Sequence, residues 1–364
     1  MAYSSITKPT DYFNTVLWTG DNTARTISGV GFQPDWIWWK QRNGTDSHRL
    51  ADSVRGEGSA SYKLIFSEDS SAEYDGNDNG GSQGNINAIT SDGFSGVQGT
   101  SGYNNWNGNS YNYVAWNWKG GTTSGLSGGN ITPSAYSYDA TSGFGVYKYT
   151  GNGSADQTIP HGLGAVPQLI FYKRLDSSTN WVVQSNLLGN RVQLVLNATD
   201  AENTDSRLSD SDNWTSTFFK VGSYGDMNNN GSDHVAYVFC NVKGYSKVGT
   251  YTGNGSSDGT FVYTGFKPAF VLTKSTSNAV NWQIQDNKTA PTNLMTNKLF
   301  ANTNAAQDTG SENTVDFLSN GFKPRGTGSS ENINGNGYSY IYLAFAENPI
   351  VGNDSGTAVP VVAR

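Results

Sequence analysis

The chain contains a single cysteine, Cys240, and only three histidines in 364 residues. One thiol excludes an internal disulfide, and with scattered imidazoles it cannot supply the four ligands of a structural zinc site. Charged side chains are scarce at 15 % and sum to −7, a field that repels phosphate backbones and argues against nucleic-acid binding. No apolar run approaches the roughly 18 residues of a membrane helix, so membrane insertion is not expected. Apolar residues rarely recur at the three-and-four spacing of an amphipathic helix, so no long helix is expected either. The first residues, "MAYSSITKPTDYFN", lack the basic and apolar regions of a signal peptide. The sequence reads as a soluble chain made in the cytoplasm without a cleaved leader.

Aromatic residues and glycine are abundant. Trp, Tyr and Phe reach 13 %, which places much of the buried surface in rings and favours sheets. The 44 glycines lie among Asn, Ser, Thr and Asp, as turns between many short strands require.

One stretch is written repeatedly. "YTGNGS" stands at residues 149–154 and again at 251–256, with "WTGDNT" at 18–23. After each copy comes Gly-x-x-Pro and an apolar strand ending in lysine: "GFQPDWIWWK", "GAVPQLIFYK" and "GFKPAFVLTK". Eight residues beyond Lys40, Lys173 and Lys274 stand His48, Trp181 and Trp282. Then come "SDGFSG", "STFFKV" and "SNGFKP", and finally the closing strands "YVAWNW" from Tyr113, "HVAYVF" from His234 and "YLAFAE" from Tyr342. Four markers in constant order define a threefold internal repeat.

The expected fold is all-β, three tandem β-sandwich domains of jelly-roll, concanavalin-like or immunoglobulin-like type with short arms at both ends. The expected division is an arm at 1–13, repeats at 14–119, 146–246 and 247–348, a Gly/Ser-rich connector at 120–145 and a tail at 349–364. The connector sets the first domain apart from the other two. In the post-proline strand Trp36 and Trp38 match Leu169 and Phe171, then Phe270 and Leu272, so this face is read as the separate core of each domain. Trp39, Tyr172 and Thr273 tolerate polarity and are read as reaching the surface. An alanine at 115, 236 and 344 suggests close approach by a neighbour. "YTGNG" is read as a strand end turning through a type I′ Asn-Gly hairpin.

Signals for chemistry are few. His48 replaces a tryptophan of the repeat and His234 a tyrosine, His161 sits in a turn, and no nucleophile elbow is present. A catalytic carboxylate pair would have to belong to one copy alone, so the chain is expected not to be an enzyme and to need no cofactor. "DGNDNG" at 75–80 matches half a calcium loop, making Asp75, Asn77 and Asn79 weak ligand candidates; "DMNNNG" at 226–231 matches it again. Neither has the closing glutamate. The loop "SGYNNWNGNSYN" offers Tyr103, Trp106 and Tyr111 as rings on which a glycan would stack.

The stretches "SSITKPTDYFNTVLWTGDN", "GVGFQPDWIWWKQRN", "ITSDGF" and "NYVAWNWKGG" resemble a repeated β-rich domain of marine bacteriophage proteins. That resemblance covers all three copies and is strongest in the first; copy two departs from it at "STFFKV". It implies a non-enzymatic virion protein, a lectin-like decoration or fibre-like appendage of capsid or tail, with no catalytic residue inherited through the family motifs. Its implied partners are other virion proteins, further copies of itself in a homo-oligomer, and host-surface glycans. Pro9, Tyr12 and Phe13 would form a docking arm gripped by a neighbouring subunit, with the C-terminal tail as a second docking strand. The alternatives are a secreted carbohydrate-binding module and a glycan depolymerase.

Overall fold

The structure, a computed structural model, describes residues 4–76, 84–99, 106–326 and 332–349. It is all-β, built from antiparallel sheets in three two-layer units that follow the three repeats. In repeat 1 the inner sheet runs Phe13–Thr19, Asn112–Trp118, Trp36–Gln41, Arg49–Asp52, and the outer sheet Arg25–Ser28, Gly93–Val97, Asn85–Thr90. Repeat 3 repeats that order with Ser246–Thr252, Ser339–Pro349, Phe266–Ser275, Gln283–Asp286 and Leu299–Phe300 inside, and Val262–Tyr263, Gly321–Pro324, Val315–Leu318 outside. Repeat 2 places Phe144–Thr150, Asp233–Cys240, Pro167–Arg174, Val182–Gln184, Val192–Val195 and Asn203–Thr204 inside, and Gln157–Pro160 with Phe218–Val221 outside. The "SDGFSG" markers are thus outer-sheet strands, each inserting one ring (Phe94, Phe219, Phe322) into the space between its two sheets.

The post-proline strands are apolar on both faces because both faces are covered. Ile37 and Trp39, with their counterparts Ile170, Tyr172 and Val271, fill three separate outer cores between inner and outer sheets. Trp39, Tyr172 and Thr273 are buried at 1 %, 0 % and 4 % exposure, which overturns their placement at the surface. The other face also departs from expectation. Trp36, Trp38, Leu169, Phe171, Phe270 and Leu272 belong to one continuous cluster drawn from all three repeats, so the aromatic face is a shared central core in place of three private ones. Trp36 stacks on Tyr237 of repeat 2 at 4.4 Å, and Phe13 stacks on Phe345 of repeat 3 at 4.7 Å. The first repeat is therefore not set apart.

Residues 120–145 are more than a connector. They contribute the strand Ala135–Asp139, which pairs with Phe144–Thr150 and extends the inner sheet of repeat 2. The corresponding edges in the sister repeats are closed by single side chains. Asn14 Oδ1 accepts from the Thr15 amide on the first strand, and Asn241 takes both the amide and the carbonyl of Val248 on Ser246–Thr252. Each otherwise open edge is thereby blunted.

The third closing strand is shifted by two residues from its sequence alignment. Tyr251 pairs with Tyr340, as Tyr149 does with His234 and Trp18 with Tyr113. Leu343 and Phe345 then occupy the places of Trp116 and Trp118, and the shared alanine disappears: Ala115 and Ala236 correspond to Tyr342. The cross-strand partners compensate in volume. Trp39 faces Ala115 and Tyr172 faces Ala236, whereas the small Thr273 faces the large Tyr342.

Candidate functional site

The repeated motif is a latch. Its aromatic ends the first strand and donates across to the main chain of a distant loop: Trp18 Nε1 to Trp106 O at 3.0 Å, Tyr149 Oη to Met227 O at 2.6 Å, Tyr251 Oη to Ile333 O at 2.6 Å. The next loop residue is in each case a buried asparagine, Asn107, Asn228 or Asn334. Asn334 Oδ1 accepts from the Asn254 amide, and its Nδ2 donates to Asn254 Oδ1, Ser256 O and Gly326 O; Asn228 repeats this on Asn152, Ser154 and Gly222. Position five of the motif is left-handed at Asn22, Gly153 and Gly255, with φ of 60°, 71° and 64°. Only that one position is left-handed, so the stretch is not a type I′ hairpin, which needs two in succession. "DMNNNG" belongs to this latch, since it supplies Met227 and Asn228.

The residues eight beyond each lysine join one repeat to the one before it, in a ring. Trp181 Nε1 donates to Phe66 O and Trp282 Nε1 to Val195 O, both at 2.8 Å, while His48 lies against the Phe300 main chain. Phe66, Val195 and Phe300 are equivalent positions, each one beyond the residue that pairs with Leu50, Val183 or Ile284. Two residues past each lysine the carbonyls of Arg42, Leu175 and Thr276 accept from the amides of Gln307, Glu73 and Glu202 at 2.6, 2.8 and 2.8 Å. Repeat 1 thus bonds repeat 3, repeat 2 bonds repeat 1, and repeat 3 bonds repeat 2. A head-to-tail interface closes after three steps inside one chain.

The polar pairs of this ring vary together. Tyr237 Oη donates to Asp52 Oδ2 at 2.7 Å, and Trp116 Nε1 to Asp286 Oδ2 at 3.2 Å. At the third junction the donor is replaced by Leu343, and Ser185 stands where the carboxylate would be. Ser185 still accepts the amide two residues on, as the two aspartates do. A buried carboxylate occurs only where a donor meets it.

Groups of catalytic type are used as fasteners. Lys40, Lys173 and Lys274 are fully buried and held by main-chain carbonyls; Lys173 reaches Ser70 O and Lys274 reaches Thr199 O across the ring junctions. Burial lowers all three to about 8. His48 Nδ1 accepts from Trp38 Nε1 at 2.9 Å, and His161 Nδ1 accepts from the Leu163 amide at 3.1 Å, so each proton sits on Nε2. His234 stacks on Tyr149 at 5.4 Å with Nδ1 on Ser232 O. Burial depresses the histidines, His234 to about 4, and keeps the rings neutral. Burial likewise raises the Cys240 thiol to about 12, which makes it inert.

The sequence-derived site residues do not converge. Trp106 is fully buried in the outer core of repeat 1, its Nε1 bonded to Val97 O, and offers no face to a sugar. Tyr111 is 45 % exposed at the loop's end, and Tyr103 lies outside the described residues. The expected docking arm is bound to its own chain: Pro9 is buried, Tyr12 packs on Tyr245 at 6.1 Å under Lys119, and Phe13 enters the central core. Asp75 is exposed, while Asn77 and Asn79 lie outside the described residues. Among the described residues there is no cluster of three or more His, Cys, Asp or Glu able to hold a metal.

A groove of about 370 Å³ lies in repeat 2, between residues 125–127 and 216–218. Sequence reading missed it, although "STFFKV", the departure of copy two from the pattern, marks its wall. The model of one family, described as a domain of unknown function (DUF7483), matches residues 8–349. No curated protein and no solved structure matches.

Proposed function

The chain belongs to the DUF7483 family, and we propose that it is a non-enzymatic structural protein of a bacteriophage particle, displayed on capsid or tail. The observation that carries this reading is the closed ring of three repeats. It turns one chain into a rigid block with threefold pseudosymmetry, and it engages the buried Lys173, Lys274, His48, Asp52 and Asp286 as ties between repeats. A particle surface built from symmetric subunits is suited to such a block. Other virion proteins are its partners, and its polar loops face water and host-surface glycans. A second reading, a carbohydrate-binding module, is favoured by the groove in repeat 2.

The test is sedimentation of particles from an infected culture on a density gradient, followed by peptide mass spectrometry. The chain is expected in the particle band at a fixed ratio to the major capsid protein. Recovery only in the soluble fraction would overturn the proposal.

A further inference from the structure

Repeats 1 and 3 serve as internal controls for repeat 2, since all three build the same two-layer unit. Repeat 2 departs from them at two places far apart in sequence. The first is the segment 120–145. Leu126 donates its amide to Tyr136 Oη at 2.8 Å, and the amides of Asn130 and Ile131 both reach Thr158 O, which lays the segment along the outer sheet. Among the described residues the sister units have no such cover. The second departure is on the outer strand. Its first residue is Gly93 in repeat 1 and Gly321 in repeat 3, and a Cβ at either would collide with the main-chain oxygen of Ile27 or Val262. Repeat 2 carries Phe218 there, opposite Pro160. The preceding Asp92 and Asn320 become Thr217.

Both departures meet at the same groove. Leu126 and Ser127 form one side, Ser216, Thr217 and Phe218 the other, with Pro160 at the base. The Phe218 ring reaches the main chain at Gly128 and is only half-buried. Among the described residues no residue lining the groove is ionisable, and neither Ser127 nor Ser216 has an intramolecular partner for its hydroxyl. Its volume is at the small end of ligand pockets, which run from about 300 to 1,000 Å³. A half-exposed ring flanked by free hydroxyls and bare glycine main chain, with no charge, suits a ligand that has an apolar ring face and many hydroxyls. An anion or a cation would be desolvated there without compensation.

We propose that this groove binds a neutral saccharide of one or two rings, stacked on Phe218 and hydrogen-bonded by Ser127 and Ser216. The assignment deepens the reading of a surface-displayed protein, but it is tested on the purified full chain, so either can fail alone. The experiment is saturation-transfer NMR with a panel of neutral mono- and disaccharides, followed by titration of the best binder. The variants are Phe218→Gly, which restores the residue of the sister repeats, Ser216→Ala, and Tyr111→Ala on the distant loop of repeat 1. Binding is expected to weaken at least tenfold in Phe218→Gly and severalfold in Ser216→Ala, with Tyr111→Ala unchanged and thermal unfolding alike in all. The proposal is overturned by no saturation transfer to any sugar, by equal affinity in Phe218→Gly, by loss in Tyr111→Ala alone, or by a proline-rich peptide binding the groove where sugars do not.

Discussion

Replacing Trp36 with alanine distinguishes a shared core from three private ones. The ring lies 4.3 Å from Trp118 and 5.7 Å from Trp38 in its own repeat, and 4.4, 5.9 and 6.0 Å from Tyr237, Phe144 and Phe239 in repeat 2. It is fully buried, so its truncation leaves a cavity bordered by two repeats and costs about 3–5 kcal/mol. At about 1.4 kcal/mol per decade, this is a loss of protection on the order of 10² to 10⁴. Because the central cluster joins all three repeats, the loss is expected in all of them. Hydrogen exchange read by mass spectrometry should show similar acceleration for the slowest amides in Trp36–Gln41, Pro167–Arg174 and Phe266–Ser275. Acceleration confined to repeat 1 would refute the shared core.

Three further outcomes follow from the junctions and the latch. Asn334→Ala removes four hydrogen bonds and strands buried partners, so urea unfolding should show a loss of at least about 3 kcal/mol, against less than about 0.5 kcal/mol for Ala at Asn336. Ser185→Asp sets an unpaired carboxylate against Leu343 and should cost about 3–5 kcal/mol, most of it recovered when Leu343→Tyr is added; a double-mutant cycle without coupling would contradict the pairing rule. Lys40, Lys173 and Lys274 titrate near 8 when folded and near 10.5 when unfolded, so between those values the unfolded chain holds more protons and stability rises with pH. The gain is at most about 3 kcal/mol per lysine, since the carbonyl cages favour the charged form and narrow the depression. Urea midpoints should climb from pH 8 to 10, and Lys173→Met should reduce the slope. Above pH 10 the buried tyrosines, raised by burial, act with the opposite sign.

The threefold repeat and the all-β class were legible because their markers are local: a proline entering a strand, a lysine leaving it, a glycine-phenylalanine step. The facing of the strands was not. In "WIWW" every residue is buried, so alternation carries no signal of which side meets a sister repeat and which meets the outer sheet. The two-residue slip of the third closing strand escaped for a related reason. A shift of two keeps each side chain on its face, so the apolar pattern of "YIYLAF" fits either register and only the pairing with Tyr251 decides. Trp106 looked exposed because its neighbours are polar, yet its place is set by Trp18, 88 residues away. The groove was marked only by a mismatch, the loss of glycine at Phe218, whose meaning depends on a segment some 90 residues upstream.

The ring has an order of completion. Its junction between repeats 1 and 3, held by Arg42 and Gln307 at a separation of 265 residues, has no mate until the last third of the chain has left the ribosome. Until then the nascent protein carries an unsatisfied half-interface around Lys40 and an open wall of tryptophan. Closure of the ring is therefore slow and long-range, and a ring without a complete third repeat would be left adhesive at both of its open faces.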